Sequence, residues 1–266
     1  IRIAPDPLDP PMSLRVLAPS VAALSDGTWR MYLEARGPAT TPTTIRSARS
    51  SNLIDWTHEP GTRLATRGGV GAPRFRWLGD GTGELLAIDS RYAGGGPGCS
   101  ARTATAVIRA TTTDGLHFAI DPTDFMRDRQ GPLDSAGITA AEIIGTTAPL
   151  LFYSAWQDRP SGQPALLHPS TDADAVARGS SADFAAASIA ADMSGYRSRI
   201  MVAELTTSGW RSRGVVIEGD GYGGADIDAV HAEDMSLIAL GDGRWRMYYA
   251  ACDARGVWCI ASAVTA

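Results

Sequence analysis

The chain has 266 residues, a formal net charge of −5 and 44% hydrophobic residues, enough for a sizeable core. All 24 basic residues are arginine, which excludes a lysine Schiff base, a lysine general base and a phosphate-loop lysine. The acidic balance argues against nucleic acid as a partner, and no run of about 18 apolar residues exists to cross a membrane as a helix.

Residues 1–14 are proline-rich and read as an extended arm. A first module follows: an apolar β-type run at 16–24, a Ser25-Asp26-Gly27 turn, and strands at 29–35, 45–49 and 59–64. A second module repeats the pattern with strands at 72–78, 84–90 and 106–110, its first turn being Gly79-Asp80-Gly81. The third has strands at 138–144, 149–156, 199–205 and 214–218. An Ala-, Ser- and Asp-rich insert between Asp158 and Arg197 interrupts it, with a short helix expected at 182–193. The fourth has strands at 235–240, 245–251 and 258–264.

Two of these segments are near copies. Trp29 opens WRMYLEA and Trp245 opens WRMYYAA, an offset of 245 − 29 = 216 residues. Ala18-Pro19 and Ala72-Pro73 repeat at an offset of 72 − 18 = 54. Self-similar antiparallel modules separated by Asp-Gly turns predict an all-β fold, a β-propeller of four-stranded blades, as one domain over 1–266. The last module lacks a fourth strand, which the N-terminal arm is expected to supply, so hiding a sheet edge. Four modules are readable, whereas 216 equals four steps of 54 and suits five blades.

The Thr113-Asp114-Gly115-Leu116-His117-Phe118 turn, the Arg-Met-Tyr-Tyr strand and the closing Ile260-Ala261-Ser262-Ala263 resemble the five-bladed propeller glycosidases. These comprise glycoside hydrolase family 43 and its relatives among the invertases, levansucrases and mannoside phosphorylases. The resemblance implies acidic residues on the innermost strands facing an axial pocket, with Asp-Pro opening the first. This chain has Ala18-Pro19 and Ala72-Pro73 instead; the 216-residue offset sets Asp234 opposite Ala18, making it the only acid in register there.

The expected function is a carbohydrate-active enzyme, a glycoside hydrolase or transferase acting on a small-molecule or oligosaccharide substrate by carboxylate acid/base chemistry. Candidate catalytic residues are Asp234, Glu233, Asp89, Glu34 and His231, which lie at the strand ends flanked by the longer loops 36–44, 90–105 and 157–198. Arg36, Arg74, Arg91, Tyr92, Trp156 and Asp158 are candidates for binding substrate. Alternatives are a cyclase, isomerase or lyase reusing the same pocket, or a binding propeller without catalysis. No cofactor is expected; Asp220, Asp226 and Asp228 offer a structural calcium site, but their spacing matches no EF-hand. Trp29, Trp56, Trp210 and Trp245 are expected in the core. Cys252 and Cys259 either pair across a turn or are two small buried residues.

Overall fold

A computed structural model gives the fold and describes residues 3–37, 41–91, 104–123, 125–127, 131–135, 137–145, 147–164, 166 and 196–265. After a 3₁₀ turn at Pro10–Met12 come β1 (Arg15–Ala23), β2 (Trp29–Arg36), β3 (Thr44–Ser50) and β4 (Thr57–Ala65). Next are β5 (Val70–Trp77), β6 (Gly83–Arg91), β7 (Ala104–Thr112), β8 (Ala119–Ile120) and the two-residue β9 (Met126–Arg127). The chain continues through β10 (Gly137–Ile144), β11 (Leu150–Asp158), β12 (Tyr196–Thr206) and β13 (Gly209–Ile217). It ends with β14 (His231–Ala239), β15 (Trp245–Cys252) and β16 (Trp258–Val264). Strands pair antiparallel in sequence order in four sheets: β1–β4, β5–β8, β10–β13 and β14–β16. The fold is an all-β propeller of such blades. Its strands fall into two compact units, the first carrying β1–β8 and the second β9–β16.

The turns explain why one hairpin is built three times. Asp26, Asp80 and Asp242 each accept, on Oδ1, the backbone N–H two residues on, at 3.1, 2.9 and 3.0 Å. The glycine between stands at φ 79°, 82° and 86° for Gly27, Gly81 and Gly243, a left-handed conformation that costs glycine no steric clash. The register that follows is the same in both WRMY copies: Ala23 faces Trp29, and Ala239 faces Trp245.

Each inner strand also carries a β-bulge at one fixed place. The pairing slips between Leu17 and Ser20, Gly71 and Arg74, Ile138 and Ala141, and Glu233 and Ser236. Three of the bulges hold a non-glycine residue in the left-handed region: Ala18 at φ 50°, Ala72 at 48° and Asp234 at 53°. The repeat thus predicts the equivalence of Ala18, Ala72 and Asp234, and the backbone reproduces it.

The bulge turns a strand's N–H groups toward the preceding sheet of the same unit, whose side chains receive them. In the first unit Ala72 N–H donates to Glu34 Oε2 at 2.9 Å and Phe75 N–H to Ser20 Oγ at 2.9 Å. In the second, Asp234 N–H donates to Ser154 Oγ at 2.8 Å and Leu237 N–H to Glu142 Oε2 at 3.3 Å. Edge donors that would otherwise be buried unsatisfied are so paired. Around the first pair lies an apolar core of Tyr32, Ile45, Leu64, Val70, Phe75 and Leu85, with the Tyr32 and Phe75 rings 4.5 Å apart.

Several expectations change. β14 begins at His231, four residues before the apolar run, because the polar residues His231 and Glu233 face inward. β13 likewise starts at Gly209, and a short β8 adds to the second sheet. Trp29, Trp56, Trp210 and Trp245 are half-buried beside the turns and strand ends, not in the core. Cys252 and Cys259 are both free thiols, the first buried and the second exposed. Among the described residues β14–β16 has three strands. The N-terminal arm lies on the first sheet, with Ile3 and Met12 against Met31 and Leu33, and Asp9 paired with Arg46 at 2.8 Å. The helix expected at 182–193 lies outside the described residues.

Candidate functional site

The candidate residues fall into two groups, one in each unit. In the first, Glu34 near the end of β2 is buried with both carboxylate oxygens engaged. Oε1 accepts from Arg36 Nε at 2.6 Å, and Oε2 takes the Ala72 bulge N–H. The approach demands glycine at 71, where a Cβ would stand 2.3 Å from Glu34 Oε2. Glu34 and Arg36 therefore form a brace between two sheets. Asp89 on β6 is also buried, and its Oδ1 accepts from Thr66 Oγ1 at 2.6 Å. Arg74 donates from Nη1 to the carbonyl of Pro73 at 2.9 Å. Tyr92 and the Arg91 side chain lie outside the described residues.

In the second unit Asp234 occupies the bulge of β14, its side chain exposed and its N–H held by Ser154. Glu233 precedes it and is 1% exposed. The two neighbours therefore face different surroundings, as alternation along a strand requires. His231 is buried; its Nδ1 lies 3.0 Å from Ser198 Oγ, and its ring stacks on Trp258 with centroids 5.1 Å apart. Across from His231 on β15, Cys252 is buried; burial, with Asp253 and Glu233 adding, pushes its thiol up to about 12. That thiol stays protonated and unreactive at neutral pH. Trp156 and Tyr196 stack at 5.0 Å with planes 20° apart, and Asp158, exposed, faces Tyr196 in the ladder.

Sequence reading missed the charged system fixing these strand ends. Arg199 is 2% exposed and donates from Nη2 to Gln157 Oε1 at 2.5 Å, while its Nη1 sits 3.1 Å from Glu218 Oε1. Arg197 reaches the same carboxylate at 3.4 Å and the Gly219 carbonyl at 2.5 Å. Burial lowers the Arg199 pKa, with Glu218 opposing it, and an arginine stays charged regardless. The available signal was the alternation Arg197-Ser198-Arg199: the arginines take one face of β12, and Ser198 on the other reaches His231.

Two of the carboxylates proposed for calcium hold protein groups, Asp220 within its own loop and Asp228 on β15. Asp220 Oδ2 accepts the Ala225 N–H at 3.0 Å, and Asp228 Oδ2 accepts from Tyr249 OH at 2.7 Å. Among the described residues no three His, Cys, Asp or Glu side chains are grouped to hold a metal. Chemically, the second unit offers an exposed carboxylate in the β14 bulge, a buried acid at the neighbouring position, a hydrogen-bonded histidine and half-buried aromatic faces.

No protein-family model matches the chain, and no curated protein matches it. Solved structures do. A thermostable family-43 glycoside hydrolase matches at 16% identity and a TM-score of 0.59, over 94% of this chain and 68% of that one. A family-32 glycoside hydrolase from Bifidobacterium adolescentis matches at 10% identity and 0.62, over 94% of this chain but only 45% of that one. An α-L-arabinofuranosidase from Lactobacillus brevis matches at 14% identity and 0.55, over 94% and 68%. At such identities the likeness is one of architecture: this chain has the glycosidase-like β-propeller fold of the family-43 and family-32 glycoside hydrolases.

Proposed function

We propose that the protein is a carbohydrate-active enzyme, a glycoside hydrolase or transferase, that uses Asp234 as its accessible carboxylate. One observation carries the reading. Of the three left-handed bulges, Asp234 alone presents an ionisable group, and it does so exposed on a backbone that two hydrogen-bonded sheets hold rigid. Bulges re-aim side chains beside active sites, and aspartate tolerates the left-handed region better than other ionisable residues. Glycosidic cleavage calls for a second acid as well; Glu233, next to Asp234, is buried and faces other surroundings, so Asp234 alone carries the reading. The Trp156–Tyr196 stack gives a sugar ring an apolar face to lie on. Asp158, which faces Tyr196 in the ladder, is a further proposed substrate-binding residue of the same unit.

A second reading is favoured by a specific observation: Ala18 and Ala72 place methyl groups where Asp234 places a carboxylate. This suits a cyclase, isomerase or lyase with a single acid, or a protein that binds saccharide without cleaving it. The test is turnover of a panel of aryl glycosides and oligosaccharides by the wild type and by Asp234→Asn. The proposal expects turnover that falls roughly 10²–10⁴-fold in the variant. Saccharide binding without turnover by the wild type would favour the second reading.

A further inference from the structure

Two inner strands dock onto the sheet before them through matching pairs of backbone N–H groups. In the first unit the donors are Ala72, in the β5 bulge, and Phe75, three residues on. In the second they are Asp234, in the β14 bulge, and Leu237, again three residues on. The acceptors sit alike as well. The bulge N–H goes to the second strand of the receiving sheet, to Glu34 on β2 or Ser154 on β11. The other N–H goes to its first strand, to Ser20 on β1 or Glu142 on β10. Each contact therefore uses one serine and one glutamate, but in opposite order.

The order follows the charge on the bulge. Ala72 carries none, and a carboxylate holds its N–H at 2.9 Å. Asp234 carries one, and an uncharged hydroxyl holds its N–H at 2.8 Å. The glutamate of the second contact serves Leu237 instead, at 3.3 Å. A carboxylate bonded to the Asp234 N–H would stand within about 6 Å of the Asp234 side chain, and like charges that close resist ionising together. Ser154 is fully buried, so water and salt would do little to screen such a pair.

Ser154 also fixes where the acid stands. Trp156 lies two residues on, on the same face of β11. Across the ladder Trp156 faces Ser198, whose Oγ lies 3.0 Å from His231 Nδ1. Residues 231–234 are thus pinned at both ends on two buried serines, and Trp156 neighbours both on that face.

We propose that Ser154 is a positioning residue for Asp234: it anchors the bulge beside Trp156 through an acceptor that adds no second charge. The proposal rests on the reading of Asp234 as the accessible acid, and names the residue through which that acid is placed.

An isosteric pair at position 154 tests the charge. Ser154→Asp and Ser154→Asn introduce acceptors of one size that differ in charge alone. Each is made with Asp234 and with Asp234→Asn, and melting is followed at neutral pH. With Asp234 present, Ser154→Asp is expected to melt below Ser154→Asn; with Asp234→Asn the gap should narrow by roughly 2–4 °C. A gap of the same size in both backgrounds would overturn the proposal. Should Ser154→Asp fail to fold, adding Asp234→Asn is expected to restore folding; failure of both while Ser154→Asn folds would overturn it equally. Ser154→Ala, which only removes the acceptor, tests the positioning on the aryl glycoside that wild type turns over fastest. Its kcat should fall roughly tenfold to a hundredfold with KM nearly unchanged. Wild-type kcat in folded Ser154→Ala would also overturn it. Should wild type turn over no glycoside, the reading of the function falls, and the melting comparison, which needs no substrate, still decides whether Ser154 spares the Asp234 charge.

Discussion

Ala72 sits at φ 48°, where an L side chain crowds the following carbonyl. The strain is roughly 1–2 kcal/mol, against the roughly 0.5–1 kcal/mol of extra chain entropy that glycine loses on folding. Ala72→Gly keeps the N–H that donates to Glu34, so it should stabilise the protein by about 0.5–1 kcal/mol. The urea midpoint should rise with no change of slope; an unchanged or lower midpoint would show that the bulge carries no strain. Asp234 meets the same backbone demand with a residue better suited to it, and adds a charge. Its position was visible in the sequence because the offset between WRMY copies is constant. The bulge around it was not, since Ala-Pro and Asp-Met share no composition, and only the ladder shows two residues facing one.

Among the strands, the hairpins were readable because Asp-Gly pairs fix both a side-chain acceptor and a left-handed glycine. Strand ends rich in polar residues were not. His231, Glu233, Ser198 and Arg199 break the apolar pattern, yet all are buried: Ser198 lies against His231, and Arg199 meets Gln157 and Glu218. The first unit contains a similar case. Arg30 holds Glu59 through Nε at 2.7 Å and Nη2 at 2.9 Å, and Ser47 Oγ donates to Glu59 at 2.7 Å. Burial pushes the Glu59 pKa up, but the Arg30 and Ser47 hydrogen bonds, with the Arg30 charge, pull it below its ordinary value. A carboxylate with a lowered folded pKa contributes stability above its unfolded value, about 4.3, that is lost as pH falls through the folded value. Wild-type stability should therefore drop along an acid limb beginning near pH 5. Glu59→Gln should be less stable at neutral pH and show a shallower limb; an equally steep limb would remove Glu59 from the account.

At the scale of the molecule, the repeat alone made the propeller readable, and solved structures of family-43 and family-32 glycoside hydrolases share that fold over most of this chain. The candidate site was only half visible. Register located Asp234 and its neighbours, but nothing in sequence separates a carboxylate that reacts from one that braces, because both are acids at strand ends. The structure gives Glu34 the bracing role through Arg36 and Ala72, and leaves Asp234 exposed. Removing the brace leaves a half-buried guanidinium and a part-buried N–H with weaker partners, a cost of about 1–3 kcal/mol. The decisive measurement compares turnover per folded molecule on one saccharide substrate for wild type, Asp234→Asn and Glu34→Gln, with stability recorded alongside. The account predicts that Asp234→Asn loses turnover while keeping its melting temperature, and that Glu34→Gln loses stability while its folded fraction turns over within a few-fold of wild type. Wild-type turnover in Asp234→Asn, or its collapse in fully folded Glu34→Gln, would contradict it.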